Sequence, residues 1–177
     1  VLASDMGIDG TETPAEIDGN AELLKNLEEL RAKATVMIGM AKDEADATAS
    51  SPAFPMICMV REPKDYVSFS TGETIKADDV DFVARLMFMQ VLHKTYAGTA
   101  TACTGAAARI EGTIVNEVMR ERSDDEAIRI GHPAGVLPVQ AIVKDGKVEK
   151  TSFQRTARRV MEGYVYVDKA KLDKLMK

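Results

Sequence analysis

HKTYAGTATACTGAAARI, residues His93 to Ile110, carries almost no large side chain after Tyr96. Glycines stand at 98 and 105, alanines at 97, 100, 102, 106, 107 and 108, and threonines at 95, 99, 101 and 104. A helix of such residues has little apolar surface of its own. It is stable when other elements pack tightly around it, because small side chains let neighbouring backbones approach closely. Ala97-Gly98-Thr99 suits a strand-to-helix turn, with Gly98 free to take positive φ and Thr99 or Thr101 available to cap the first turn. Unpaired amides and the positive dipole end make such a start an anion site. The stretch predicts a buried central helix whose N-terminus faces a small anionic ligand, with a carboxylate the natural choice.

Upstream, Val1 to Ser4 reads as the end of a strand, and Gly7, Gly10, Pro14 and Gly19 mark 5–19 as loop with at most a turn of helix. Asn20 is the expected N-cap of a long helix, with Leu23, Leu24, Leu27, Leu30, Ala34 and Met37 inside and Glu22, Lys25, Glu28, Glu29, Arg31 and Lys33 outside. Lys42 to Ser51 is acidic and small and reads as exposed. Phe54 to Val60 is apolar on both alternating sets, as in a strand buried on both faces. Tyr66 to Ser70 is expected to pair with it as a hairpin. Ala77-Asp78-Asp79 predicts the start of a helix with Phe82, Val83, Leu86, Met87 and Met89 or Gln90 on its inner face.

Downstream, Thr113 to Arg120 predicts a short helix and Arg120 to Glu126 a charged surface loop. Ile128 to Ile130 reads as a strand, broken by Gly131-His132-Pro133-Ala134-Gly135. Val136 to Val143 and Val148 to Arg155 read as strands joined by Lys144-Asp145-Gly146-Lys147, whose Asp-Gly pair suits a type I′ turn. Ala157 to Val167 is expected to continue extended, with a bulge or close contact at Gly163. Asp168 is the expected cap of a helix from Lys169 to Lys177. Strands and helices mix without strict βαβ alternation, so the class is α+β.

The 177 residues suit one domain or a large half of a two-domain protein. With 45% hydrophobic and 29% charged residues the chain is globular, and its net charge of −5 argues against nucleic acid or an acidic membrane as partner. Two cysteines, Cys58 and Cys103, make no disulfide framework, so reduced thiols in the cytoplasm are expected. No apolar run is long enough for a membrane span. The chain starts at Val1 rather than Met, in apolar sequence, which reads as a fragment or a processed chain.

The chemistry-bearing candidates are few. His93 and His132 lack the further ligands and spacing of a metal site, so no metal is expected. His132 sits in a loop that could present it to a pocket, and an ordinary loop histidine is the equal alternative. Cys103 lies one turn into the small-residue helix. A thiol with a lowered pKa is one reading and a small packing residue the favoured one. Ser51-Pro52 and Thr99 could orient a carboxylate. Arg155, Arg158 and Arg159 could clamp one, though a solvated face is the commoner use of such a cluster.

Beyond these readings, the chain resembles a known family. His93-Lys94-Thr95-Tyr96-Ala97-Gly98-Thr99, the run through Ala106-Ala107-Ala108-Arg109-Ile110 and Gly112-Thr113-Ile114-Val115-Asn116 resemble the PrpF-type isomerases. So do Arg129-Ile130-Gly131-His132-Pro133-Ala134-Gly135, Arg155-Thr156-Ala157-Arg158 and Met161-Glu162-Gly163-Tyr164-Val165-Tyr166-Val167. The resemblance runs in order from the first residues to Val167. It implies a diaminopimelate-epimerase-like half: a mixed, mostly antiparallel sheet wrapped around a buried central helix, with residues 1–177 as the C-terminal domain and an N-terminal domain absent from this chain. It implies isomerisation of a small unsaturated di- or tricarboxylate such as methylaconitate, by proton abstraction and reprotonation, with no cofactor. The family's lysine and cysteine for proton transfer belong to the N-terminal half, so no catalytic residue is expected here. The epimerases' second catalytic cysteine would fall near Ala97, which has no acid–base chemistry.

What carries over is the carboxylate cradle of Gly98, Thr99, Ala100 and Thr101, joined by Ser51 and His132 as candidates. Ala100 stands where many relatives have glycine, and its methyl narrows the approach. The expected partners are a small polycarboxylate and the missing half or a further copy of the chain. A non-catalytic carboxylate-binding or assembly module is the alternative to an isomerase half, and the isolated chain is expected to be inactive.

Overall fold

The computed structural model describes residues 1–155 and 157–175. After a 3-10 turn at Ser4–Met6 come α1 (Pro14–Asp18), α2 (Ala21–Met37), α3 (Glu44–Ser50), β1 (Ile57–Arg61), β2 (Tyr66–Val67) and β3 (Thr74–Ile75). A second 3-10 turn at Ala77–Asp79 leads into β4 (Phe82–Phe88), β5 (Val91–Leu92), α4 (Gly98–Ala108) and α5 (Ile114–Val118). β6 (Ile128–His132), β7 (Gly135–Lys144), β8 (Lys147–Phe153) and α6 (Lys169–Leu175) complete the order. The main sheet runs β1-β4-β6-β7-β8, with β5 also beside β4. Every pairing in it is antiparallel except the parallel contact of β4 with β6. The class is α+β with a mixed, mostly antiparallel sheet.

The sheet separates two cores. On one side Val60, Phe82, Ala84, Leu86, Ile128, Ile130 and Val139 meet Tyr96, Ala100 and Ala108 of the α4 region, with Phe153 packed against them. Residues of all five main strands therefore share one core with α4, which Val118 of α5 also joins, and the sheet curls to achieve this. On the other side Ile17, Leu23 and Leu27 from α1 and α2 cover Met59, Met87 and Leu92.

Being covered on both faces explains the largest departure from the sequence reading. The helix expected from Ala77 is instead β4, in which residues 82–87 are all buried. Its apolar residues serve both cores, so no period-2 alternation marks it as a strand. The acidic run at 77–79 supplies only one 3-10 turn. The expected hairpin of residues 54–70 does not form either. β1 pairs with β4, Ile57 opposite Met87, while Tyr66 and Val67 pair with Ile75 and Thr74 in a separate two-stranded sheet.

α2 starts as read, the Asn20 side chain accepting from the Leu23 amide at 3.1 Å. Its buried face differs: Arg31 and Thr35 are buried, while Leu30 and Met37 are exposed. The cause is α3, which is mostly exposed as read but buries Ala47 against α2. Arg31 donates to the Glu28 carboxylate at 2.7 Å and to the carbonyls of Ser51 at 2.8 Å and Ala47 at 3.3 Å, tying α3 to α2.

Asp81 is fully buried ahead of β4 and accepts from Arg122 at 2.9 Å and Arg129 at 2.8 Å. Burial alone would raise its carboxyl pKa, but those hydrogen bonds prevail and hold it below the usual range. They pin the 120–126 loop against the sheet.

α4 begins differently from expectation. The cap is Ala97, extended at φ −67° and ψ 139°, with no side-chain cap. The φ of Gly98 is not positive, and the Thr101 hydroxyl donates back to the Ala97 carbonyl at 2.9 Å. Ala100, Thr101, Thr104, Gly105, Ala106 and Ala108 are buried, whereas Thr99 and Cys103 are exposed. Cys103 therefore does not fill a packing contact, contrary to the favoured reading.

The β7–β8 turn is as read, with φ of 49° at Asp145 and 70° at Gly146. Residues 157–167 are neither strand nor helix, so the expected extended strand is not formed. Thr156, Met176 and Lys177, part of the expected motif and helix, lie outside the described residues.

A Cβ built on Gly105 would lie 2.7 Å from Val139 Cγ2 and 3.0 Å from Cγ1. Gly105→Val is expected to lower stability by about 1–3 kcal/mol through overpacking against β7, read as the shift in urea midpoint. An unchanged midpoint would show that β7 yields freely.

Candidate functional site

The first turn of α4 carries amides that the helix cannot use. The first helical hydrogen bond runs from Thr101 N to the Ala97 carbonyl at 2.8 Å. The N–H groups of Gly98, Thr99 and Ala100 therefore precede it, with no acceptor recorded for them among the described residues. No acidic side chain occupies the first turn. Three aligned donors and the helix dipole leave this end electropositive.

Arg155 adds a full charge there. A Cβ on Gly98 would fall 2.5 Å from Arg155 Nη2 and 3.0 Å from Phe153 Cζ, so the guanidinium lies directly against the glycine backbone. The Arg155 Cζ sits 5.1 Å from the Phe153 ring centroid. This stack holds the guanidinium over the helix start while leaving it exposed. Glycine at 98 is explained by this close approach rather than by backbone conformation. Of the other two arginines in the cluster, Arg158 is exposed with no contact to α4 among the described residues, and Arg159 pairs at the surface with Glu162 at 3.0 Å.

Tyr96 anchors the turn from below. Its hydroxyl lies 2.9 Å from Thr104 Oγ1 and 3.1 Å from Cys58 Sγ. Burial, then the neighbouring Cys58, pushes the phenol well above its usual pKa. Burial likewise raises the Cys58 thiol. Both stay protonated at neutral pH and fix the helix rather than accept protons.

The other candidates lie elsewhere. The Ser51 hydroxyl donates to the Phe54 carbonyl at 2.7 Å, within the α2–α3 tie, and no recorded contact joins it to α4. His132 ends β6. Its Nδ1 accepts from the Ala134 amide at 3.2 Å, which puts the proton of a neutral ring on Nε2. Tyr66 donates toward the carbonyls of His132 at 2.9 Å and Gly135 at 2.6 Å, and burial pushes its phenol up to about 12. Behind it Arg85, buried in β4, donates to the carbonyls of Glu12 at 2.7 Å and Ala84 at 3.1 Å. Its Cζ lies 5.1 Å from the Tyr66 ring. Burial, then the Arg85 charge, lowers the His132 pKa to about 4.

Arg85 lies inside an apolar run that imitates the inner face of a helix, so the sequence does not mark it. Arg155 was visible only as one of three similar residues. Among the described residues no group of three or more His, Cys, Asp or Glu gathers at metal-binding distance, and no helix is long and apolar enough to cross a membrane.

An α+β domain whose sheet wraps an open-ended, cation-flanked helix is the class these features define. The chain matches the PrpF protein family over residues 1–168 and belongs to it. It is 69% identical over 172 residues to the 3-methylitaconate isomerase of Eubacterium barkeri, covering 97% of this chain and 45% of that protein. It is 40% identical over 173 residues to a 2-methyl-aconitate isomerase of Shewanella oneidensis, covering 96% of this chain and 43% of that protein. A crystal structure of methylitaconate-delta-isomerase superposes with a TM-score of 0.89 at 68% identity, over 97% of this chain and 44% of that one. The chain thus spans less than half the length of these relatives.

Because protonated His132 is disfavoured in the fold, stability is complete above its unfolded pKa near 6.5 and is lost as pH falls toward 4. We expect urea unfolding to show a loss of about 3 kcal/mol from this group across that window, and His132→Gln to flatten it. An equal slope in the variant would remove His132 as the cause.

Proposed function

We propose that this chain is the carboxylate-binding half of an isomerase that moves a double bond in a small unsaturated di- or tricarboxylate without a cofactor. In such a step a base removes a proton from the carbon next to the alkene. The electron pair spreads into the alkene and its carboxylate, and an acid returns a proton at the far carbon. The bond shifts and nothing is oxidised. The demand on the protein is to stabilise the negative charge that builds on the carboxylate.

The observation that carries this reading is the Arg155 guanidinium lying against Gly98, beside three unused amides. A carboxylate placed there would take charge-assisted hydrogen bonds from Arg155 and from the amides of Gly98, Thr99 and Ala100, with the exposed Thr99 hydroxyl at the rim. Thr101 serves by holding the Ala97 turn, and the Ala100 methyl limits the depth of entry. The names of the relatives, isomerases of methylitaconate and methylaconitate, support the substrate class. No group on this chain is assigned as the base, since Cys58 and Tyr96 are held protonated.

We read the curled sheet with α4 as one of two epimerase-like lobes. The second lobe would bring the proton-transfer residues that the family resemblance places upstream. The two thiols, neither in a disulfide, suit the cytoplasm.

Isothermal titration with itaconate, a small unsaturated dicarboxylate, is expected to show saturable binding to the chain. Arg155→Ala should weaken it about 10–100-fold, the loss of a charge-assisted contact. Turnover of methylitaconate by the chain alone should be undetectable. Unchanged binding in the variant would remove the site, and substantial turnover would remove the division between lobes.

A further inference from the structure

His132 is a buried polar side chain that the carboxylate cradle leaves unused. Along β6, Ile128 and Ile130 enter the core shared with α4, while Gly131 turns to Tyr66 and Val80 on the opposite face. Alternation therefore sends the His132 side chain to the α4 side of the sheet. His93 is its neighbour there. β5 and β6 lie along the same edge of β4, because β1 occupies the other. The β4–β6 register, carried two residues on from Phe82 opposite Ile130, sets His132 beside Ala84, and the His93 amide donates to the Leu86 carbonyl at 2.8 Å. Leu92 joins the opposite core, so His93 faces the α4 side too.

The same end of the sheet holds the start of α4, against which Arg155 lies. Phe153 pairs with Val139, and the chain beyond it, where Arg155 stands, passes toward the end of β7 that begins at Gly135, the partner of His132. Two inter-strand steps separate β8 from β6, about 10 Å. A four-carbon diacid fills such a span with one hydrogen bond of about 2.8 Å at each carboxylate.

The His132 ring is set up as a donor. Its Nδ1 accepts from the Ala134 amide at 3.2 Å, so Nε2 carries the proton of the neutral ring. Nε2 has no recorded partner among the described residues, although His132 is only 9% exposed. Nor is it sealed in: among the described residues the buried side-chain atom without a partner is Arg109 Nε. The N–H therefore opens at the surface on the α4 side. A nearly buried donor left unpaired is costly, and a ligand oxygen removes that cost.

We propose that His132 Nε2–H donates to the second carboxylate of a diacid whose first carboxylate rests on Arg155 and the α4 amides. The proposal rests on the cradle described under the proposed function, and it makes His132 the residue that selects diacids over monoacids. An uncharged ring adds direction at that position without adding charge.

Titration calorimetry of the chain near neutral pH compares itaconate with methacrylate, which keeps the alkene and one carboxylate and lacks the second. Itaconate is expected to bind about 10-fold more tightly, the effect of one hydrogen bond to a charged group. His132→Asn keeps an acceptor where Nδ1 stood and removes the donor at Nε2. It should weaken itaconate about 10-fold and leave methacrylate unchanged. His132→Gln places an amide nitrogen where Nε2 stood and should retain the preference. In the unaltered chain, nitrogen-15 NMR should show the His132 Nε2 resonance moving on itaconate addition with the Kd of the Gly98 amide. Full diacid preference in His132→Asn, or a His132 resonance that stays still at saturation, overturns the proposal; the cradle then stands if Arg155→Ala weakens both acids. Equal affinity of the unaltered chain for the two acids overturns it as well. Failure of either acid to bind overturns the cradle with it.

Discussion

The spacing between α4 and the β7–β8 hairpin is set by two missing Cβ atoms. At Gly105 the helix backbone meets the Val139 methyls, and at Gly98 it meets the Phe153 ring and the Arg155 guanidinium. Side chains at those positions would push the hairpin outward. Because they are absent, strands from the far end of the sheet curl over the helix and share one core with β1, β4 and β6. The same closeness carries Arg155 to the amide end of the helix. A packing constraint thus produces an electrostatic one, and the proposed carboxylate cradle is a by-product of how tightly the sheet wraps.

Several charges inside the fold serve structure. Arg31 is consumed by Glu28 and by the carbonyls that hold α3. Asp81 is consumed by Arg122 and Arg129, and Arg85 by two carbonyls and the face of Tyr66. Removing one partner of such a buried arrangement costs far more than the pair contributes, because the other charge is then stranded. Arg155 differs. It is exposed and makes a ring contact but no hydrogen bond among the described residues, so its donors face outward toward a ligand.

Local signals made some of this legible in the sequence. The small residues of 97–108, the Asn20 cap, the Thr113 helix and the Asp145-Gly146 turn each carry a residue choice that only one local structure explains. β4 reads as a helix because a strand covered on both faces loses its alternation, and the acids ahead of it imitate a helix cap. Arg31 and Arg85 were not recognisable as buried, since their burial depends on carbonyls that only the tertiary fold supplies. Gly98 stands out in the sequence for a positive φ, which it does not adopt. What requires it is Arg155, fifty-seven positions away, which no local pattern connects to it.

The central claim is that a carboxylate binds at the amide end of α4. The most direct measurement is a nitrogen-15 NMR titration of the chain with itaconate. Saturable shifts of the Gly98, Thr99 and Ala100 amides and of the Arg155 side-chain Nε, with one common Kd, are the expected result. Shifts confined to other parts of the fold, or none at these four positions at saturating itaconate, would contradict it.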